Sequence, residues 1–440
     1  MGGPEFAIAI ISVLLILILL SVPIVIALGS ASFFGLAYLV GSFDVAVSLL
    51  ANTAYESIRS YVFAVIPLFV LMGELISKSG AAKDLYVLIN RSLSKIPGRL
   101  SLATVMGNAV FGAVTGVSIA SAAAFSRIAY PEMVAQKYNK AVALGSIAGS
   151  ASLGMLIPPS ILLIVWGVIA EISIGKLFVA GIIPGILLAL MFGVFIIVFA
   201  IVKPKLFGEV ERDITKEHKK HKSTKSELIG SIGVVALIIV VLGGIWFGIF
   251  TPTESAGIGA LFAFILAIFK KTSWKEIASA VLETGKISAP ILFLLIAAQM
   301  YARLLAMGGI SEVVQSFFNY FGDDFYTILI IMVVTWFVLG MFIDSVSIIL
   351  LTVPLFTPIA GTLGYDPIAF AIIGIVAIEA GLLTPPLGLC VYTVKGSVSD
   401  PEATLGKIFL GSIPYWIILI ILVFLVAFFP SLATWLPSLM

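Results

Sequence analysis

The sequence predicts an all-α polytopic membrane protein of two inverted-topology repeats, each with a re-entrant helical hairpin and a broken helix. Three observations lead there. Of the 440 residues, 61% are hydrophobic and 11% charged, with a mean hydropathy of +1.20; soluble chains carry about a quarter charged residues. The apolar residues come in runs of about 20, long enough for membrane-crossing helices, not in the alternating ten-residue segments of a membrane β-barrel. Two consecutive-proline sites, Pro158-Pro159 and Pro385-Pro386, lie 227 positions apart within LIPPS and LTPPL. The net charge of +2 is uninformative, because a membrane protein sorts its charge by side.

The first repeat is assigned to residues 1–202. It opens with scaffold spans within 1–79, at about 6–28, 31–50 and 57–77, the last containing Pro67 and Glu74. MGGPEF lacks the basic region and cleavage site of a signal peptide, so the first span is expected to remain. Residues 80–99 alternate apolar groups with Lys83, Arg91, Lys95 and Arg99, which suits a helix lying in the interface. The apolar stretch 100–130 is interrupted at Gly107, Gly112 and Thr115-Gly116, as two half-length helices of a first hairpin require. A broken helix is assigned to 141–170. Its centre, SIAGSASLGMLIPPS (146–160), combines small residues with two prolines that remove backbone donors and strain the preceding turn. Unwound backbone at membrane depth survives only where protein or a polar cavity surrounds it. A span at 177–202 closes the half.

Residues 203–227 form the only long polar segment and join the halves; their lysines place them in the cytoplasm. His218 and His221 lie in this loop and read as solvated. A single cysteine, Cys390, excludes an intramolecular disulfide and a cysteine metal cluster.

The second repeat, 228–440, begins with scaffold spans within 228–269 (228–250 and 256–269). A basic junction carrying Lys270, Lys271, Lys275 and Lys286 precedes a span at 287–307. A second hairpin is assigned to 324–360, with breaks at Gly340, Asp344 and Pro354, and a second broken helix to 367–394, interrupted at Gly381 and Pro385-Pro386. The last span is 408–430. With 203–227 inside, counting spans puts 80–99 and Lys270-Lys271 inside and 301–321 outside. Residues 308–324 contain neither lysine nor arginine. The count closes only if the first hairpin enters from the cytoplasm and the second from outside, as inverted repeats demand. Paired discontinuous segments of this kind point to the binding site of a secondary transporter.

These residues resemble a known family. FGAVTGVSIASAAAF (111–125), GSASLGMLIPPS (149–160), AGIIPG (180–185), FTPTESAGIGA (250–260), GMFIDSVSIILLTVPLFTPI (340–359) and EAGLLTPPLG (379–388) are similar to the large membrane subunit of TRAP transporters, the tripartite ATP-independent periplasmic carriers. The resemblance implies a sodium-coupled importer of an organic anion, such as sialic acid, a C4-dicarboxylate or a keto acid, in a bacterial inner membrane. It also implies elevator-like movement of a transport domain against a scaffold, with two partners: a small four-helix membrane subunit and a periplasmic substrate-binding protein. The chain has no room for four further helices, so the small subunit is expected to be separate, and the N-terminus periplasmic. Thr115 departs from the serine that many relatives carry at the first tip.

Sodium prefers oxygen ligands, which broken helices supply as carbonyls and hydroxyls. By analogy with the family, one ion lies between Thr115, Gly116 and Ser118 of the first hairpin and Gly149, Ser152, Gly154 and Pro158 of the facing break. The second lies among Gly340, Asp344, Gly381, Thr384 and Pro385. The competing reading is that these small residues serve close helix packing. Asp344, ionisable within a membrane segment, either ligates or caps a helix. Arg303 is the candidate for the substrate carboxylate, against snorkelling to the interface; Ser160 is the other substrate candidate. Glu254 reads as a helix cap, and Glu74 and Glu379 as charge balance or contacts to the small subunit.

No triad, metal-ligand pattern or phosphate-binding loop is visible, so neither catalysis nor nucleotide hydrolysis is expected, and no organic cofactor or nucleic-acid partner. A channel would need a filter repeated about an axis along the pore, and an intramembrane enzyme a nucleophile with its base. The remaining alternative is a self-sufficient sodium–dicarboxylate symporter that uses no binding protein.

Overall fold

The computed structural model describes residues 3–20, 22–208, 225–319 and 324–440. Most of the linker, with His218 and His221, lies outside the described residues. Those described form helices throughout, with one isolated bridge between Tyr138 and Phe207. Among them, seven helices are long and apolar enough to cross a membrane, and a bent pair, Lys140–Leu156 with Ile161–Ile169, makes an eighth broken by 42°.

The N-terminal part differs from the expected spans at 6–28, 31–50 and 57–77. It folds as α1 (Pro4–Leu19), α2 (Ile24–Val40), α3 (Phe43–Arg59) and, after a 3₁₀ turn, α4 (Val65–Lys78). Two breakers decide this. Pro23 holds the position before α2, and Gly41 ends α2 in the left-handed conformation at φ +69°. The amphipathic segment is α5 (Ala81–Ser92), followed by α6 (Arg99–Thr115) and α7 (Ser118–Ile128). Gly107 and Gly112 do not interrupt α6; they are places where other groups press against it. A Cβ on Gly107 would lie 2.5 Å from the Phe125 ring of α7.

After α8 (Tyr130–Ala135) comes the broken helix: α9 (Lys140–Ala151), α10 (Leu153–Leu156) and α11 (Ile161–Ile169). The long span is α12 (Ile174–Val202), and the second half continues with α13 (Lys225–Trp246) and α14 (Pro252–Phe269). Glu254 closes a capping box with Thr251 at the start of α14. The expected basic junction before residue 287 is absorbed into one 35-residue helix, α15 (Trp274–Gly308). Ser273 and Glu276 cap its start, and neither Gly285 nor Pro290 ends it before Gly308. At 1.5 Å per residue it is about 50 Å long, so its lysine-bearing end extends beyond a hydrocarbon core of about 30 Å.

The chain ends with α16 (Ile310–Asn319), α17 (Phe325–Gly340), α18 (Ser345–Thr362), α19 (Pro367–Gly381), α20 (Leu389–Ser397), α21 (Leu405–Phe428) and α22 (Ser431–Thr434). Pro354 and Pro358 lie inside α18 without ending it; the break expected at Pro354 is confined to 341–344.

Packing separates two groups of helices. In one, α15 packs on α2, α3 and α4, α14 on α4, and α13 on α5 and α14. In the other, α9 packs on α6 and α21, α19 on α17 and α21, and α7 on α20. The hairpins touch the first group at α4–α6, α5–α6, α13–α6 and α15–α18.

One polar cluster ties the second group together at its surface. Lys140 at the start of α9 pairs with Asp400 at 2.7 Å and Glu402 at 2.9 Å, and Tyr130 donates to Asp400 at 2.7 Å. These donors hold the Asp400 carboxyl down at about 2, below its ordinary 3.8. A depressed carboxylate contributes stability above its unfolded value and loses it as the pH falls through the folded one. The thermal-stability gap between the wild type and Lys140→Met should therefore be constant from pH 5 to 7 and close as pH falls from about 4 towards 2. A gap that closed near pH 6 would remove Asp400 as its origin.

Candidate functional site

Each hairpin tip meets the break in a helix of its own half. In the first, α6 ends because Gly116 turns left-handed at φ +65°, with its N–H donating to Gly112 O at 2.7 Å. Val117 is extended, and α7 starts at Ser118. Just past Pro158-Pro159, the Ile161 N–H donates to Gly116 O at 3.2 Å. Backbone meets backbone beside it: a Cβ on Gly112 would lie 2.3 Å from Gly154 Cα.

The second junction has the same parts. Past Pro385-Pro386, the Leu387 N–H donates to Met341 O at 3.2 Å. A Cβ on Gly381 would lie 2.4 Å from Phe337 O and 2.7 Å from Gly340 Cα. Gly340 follows Gly112 by 228 positions and Gly381 follows Gly154 by 227. Both double prolines contain a cis peptide bond.

The expected ion-site residues divide accordingly. Gly116 and Gly154 lie where the first tip meets its break, whereas the Ser118 hydroxyl faces Glu379 of α19 instead. Thr115 packs on α4, where a Cβ on Gly73 would lie 2.8 Å from Thr115 Cα, and its hydroxyl donates to Phe111 O at 3.1 Å. Gly149 faces away, towards the Tyr415 ring of α21, and Pro158 packs towards Gly181 of α12. Ser152 Oγ donates to Gly149 O at 2.7 Å, as Thr384 Oγ1 does to Gly381 O at 2.7 Å. In the second set Gly340 and Gly381 touch, and Pro385 forms the turn. Asp344 caps α18, accepting from Ser347 N at 3.0 Å and from the Ser347 hydroxyl.

The two substrate candidates are not brought together. Ser160 is fully buried; its hydroxyl donates to Met155 O and accepts from Leu163 N at 3.4 Å, capping α11. Arg303 is exposed and donates from Nη1 to Thr53 Oγ1 of α3 at 2.9 Å. A crevice of about 600 Å³ separates the second tip from the first helix group, lined by Val22, Pro23, Pro290, Phe293, Phe342 and Asp344. Arg303 lies ten residues, about 15 Å, further along α15 than Phe293. A larger groove of about 1000 Å³, lined by Phe6, Phe34 and Tyr38, lies between α1 and α2 and touches neither hairpin.

Sequence reasoning missed a buried carboxyl beside the hairpins. Glu379 faces no partner surface and balances no charge there: it is 1% exposed, and Ser345 Oγ at the start of α18 donates to its Oε1 at 2.9 Å. Gly112 was legible only as a weak point of a helix. Applying the 227-residue offset to glycines as well as prolines pairs Gly154 with Gly381, one glycine of each contact; Gly112 and Gly340 are 228 apart and escape it by one position.

The groups available at the junctions are oxygens: carbonyls released by the breaks, and hydroxyls. Among the described residues, no cluster of three or more histidine, cysteine or acidic side chains could hold a metal ion. Such a donor set suits a hard cation of low charge better than a transition metal.

Comparison with known proteins adds a separate line of evidence. The family model described as "Tripartite ATP-independent periplasmic transporter, DctM component" matches residues 11–432. The C4-dicarboxylate TRAP transporter large permease protein of Pseudomonas aeruginosa is 32% identical over 89% of this chain and 90% of its own. The sialic acid TRAP transporter large permease protein of Vibrio cholerae is 28% identical, covering 93% and 94%. The ectoine TRAP transporter large permease protein of Halomonas elongata is 28% identical, covering 96% and 97%. Among solved structures, the YdaH transporter of Alcanivorax borkumensis superposes with a TM-score of 0.59 at 14% identity, over 88% of this chain and 90% of that one, and so shares the fold.

Proposed function

The chain belongs to the DctM-component family of the tripartite ATP-independent periplasmic transporters, and from that premise we propose that it imports an organic anion together with sodium. It is a multi-pass inner-membrane permease of a transporter family rather than of an enzyme family. In our reading two sodium ions sit at the tip–break junctions. The hairpins and broken helices then move as an elevator against the helices around α4 and α15. The anion, a carboxylate such as those carried by the relatives, occupies the crevice beside Asp344 and Pro290. A periplasmic binding protein delivers it, and a separate small membrane subunit completes the permease. The N-terminus lies in the periplasm and 203–227 in the cytoplasm.

The observation that carries this reading is the matched pair of junctions. Each places a hairpin tip against a break, with the same glycine contact and the same hydrogen bond across it. Broken backbone lining a cavity is how secondary transporters present carbonyls to ions. A second helix group, in contact at α4–α6 and α15–α18, supplies the surface to move against.

Reconstitution tests it. Liposomes holding the chain and its small subunit should take up the anion only with an inward sodium gradient and with the binding protein outside. Uptake that ignores the sodium gradient would remove the coupling. Uptake by the chain alone, with neither partner, would make it a self-sufficient symporter.

A further inference from the structure

Between the hairpins lies a group of oxygens that neither junction accounts for. Glu379, on α19, is buried, with Ser345 Oγ of the second hairpin donating to its Oε1 at 2.9 Å. From the first hairpin the Ser118 hydroxyl faces the same carboxyl without closing a hydrogen bond. Among the described residues, Glu379 Oε2, Ser118 Oγ and Ser121 Oγ are all buried with no hydrogen-bond partner. Ser118 and Ser121 are three apart on α7 and share a face. Ser121 Oγ also lies against Gly154, 3.1 Å from where a Cβ there would sit.

Buried polar atoms without partners are uncommon, and a carboxylate oxygen left unpaired beside a helix that carries two unpaired serine hydroxyls calls for a missing group. The first turns of α7 and α18, at Ser118 and Ser345, flank the carboxyl, and helix N-termini offset part of the cost of ionising a group buried there. Among the described residues no lysine or arginine contributes to its surroundings, and a titratable neighbour is the Cys390 thiol of α20. A carboxylate with hydroxyl oxygens, free of nitrogen and thiolate ligands, suits a hard cation.

We propose that Glu379 Oε2, Ser118 Oγ and Ser121 Oγ ligate a sodium ion, and that Ser345 orients the carboxylate, making one cation site shared by both hairpins. The identity of the ion rests on the sodium-coupled reading above; the ligand set does not. Because the carboxylate spans α7 and α18, filling the site ties the two hairpins into one moving body, and emptying it leaves a buried charge between them.

The test is thermal unfolding of the purified full-length chain in detergent, titrated with sodium chloride against N-methyl-D-glucamine chloride at constant ionic strength. Sodium should raise the wild-type Tm. Glu379→Gln, which keeps the shape and removes the charge, should raise the half-saturating sodium concentration by about tenfold or more. Ser121→Ala and Ser345→Ala should raise it by smaller factors. A wild-type titration in Glu379→Gln overturns the proposal; should that variant not fold, wild-type titrations in both serine variants overturn it equally. A response that follows pH and ignores sodium also overturns it, in favour of a proton. If the wild type itself shows no sodium response, the sodium-coupled reading fails; if only the variants behave as wild type, this site alone fails.

Discussion

Gly381→Ala should insert and fold yet lose at least about nine-tenths of its sodium-driven uptake. The new methyl group would lie 2.4 Å from Phe337 O and 2.7 Å from Gly340 Cα, both backbone atoms with no rotamer to adopt. Overpacking of this kind costs about 1–3 kcal/mol, and about 1.4 kcal/mol is a factor of ten in an equilibrium. The strain falls between the second tip and its break, so uptake should suffer more than the yield of monodisperse protein. Gly112→Ala should behave alike in the first half, with Gly154 Cα 2.3 Å away. Gly154→Ala should be milder, since its nearest neighbour is the rotatable Ser121 hydroxyl at 3.1 Å. Uptake by proteoliposomes, normalised to inserted protein, checks the series; wild-type rates in Gly381→Ala and Gly112→Ala would show that the junctions tolerate separation.

Lys270→Ala should destabilise the chain by about 3 kcal/mol, the largest effect expected of any surface-end substitution here. Lys270 Nζ pairs with Asp84 of α5 and also donates to Ser226 O at 3.2 Å and Ser226 Oγ at 2.8 Å. The side chains are 9% and 15% exposed, so solvent screens the pair weakly. Removing the ammonium leaves Asp84 half-buried and without its ammonium partner against α13, where a Cβ on Gly230 would lie 2.2 Å from its Oδ2. The double variant Asp84→Ala/Lys270→Ala should recover most of the loss, because no charge is then buried alone. Thermal unfolding of the singles and the double measures this. A double variant no more stable than Lys270→Ala would mean that the stability comes from packing along α5 and not from the pair. The contact matters beyond stability, since α5 joins α4 of one helix group to the first hairpin of the other.

Much of the fold was legible because membrane helices announce themselves by length and apolarity. The span expected at 177–202 is α12, and the hairpin and broken-helix stretches around 115 and 158 and around 341 and 385 contain the breaks the structure shows. Breakers near the N-terminus were read too lightly: Pro23 and Gly41 divide what hydropathy alone runs together. Charge misled in the opposite direction around Lys275 and Lys286. A helix that projects past the hydrocarbon tolerates lysines, so α15 continues through a stretch that reads as a junction.

By itself, the sequence determined that this chain spans a membrane, that its halves carry matched breaks, and that oxygen donors dominate those breaks. All of these follow from local chemistry: runs of apolar side chains, prolines without a donor, glycines without a Cβ. Which atoms face one another was decided by tertiary structure alone. Gly112 and Gly154 are 42 positions apart, Ser345 and Glu379 34, and Ser118 and Glu379 261, distances over which no periodicity carries information. A carboxylate mid-helix reads the same whether it meets lipid, a partner or two hairpins. Only packing reveals that Glu379 is sealed between Ser118 and Ser345.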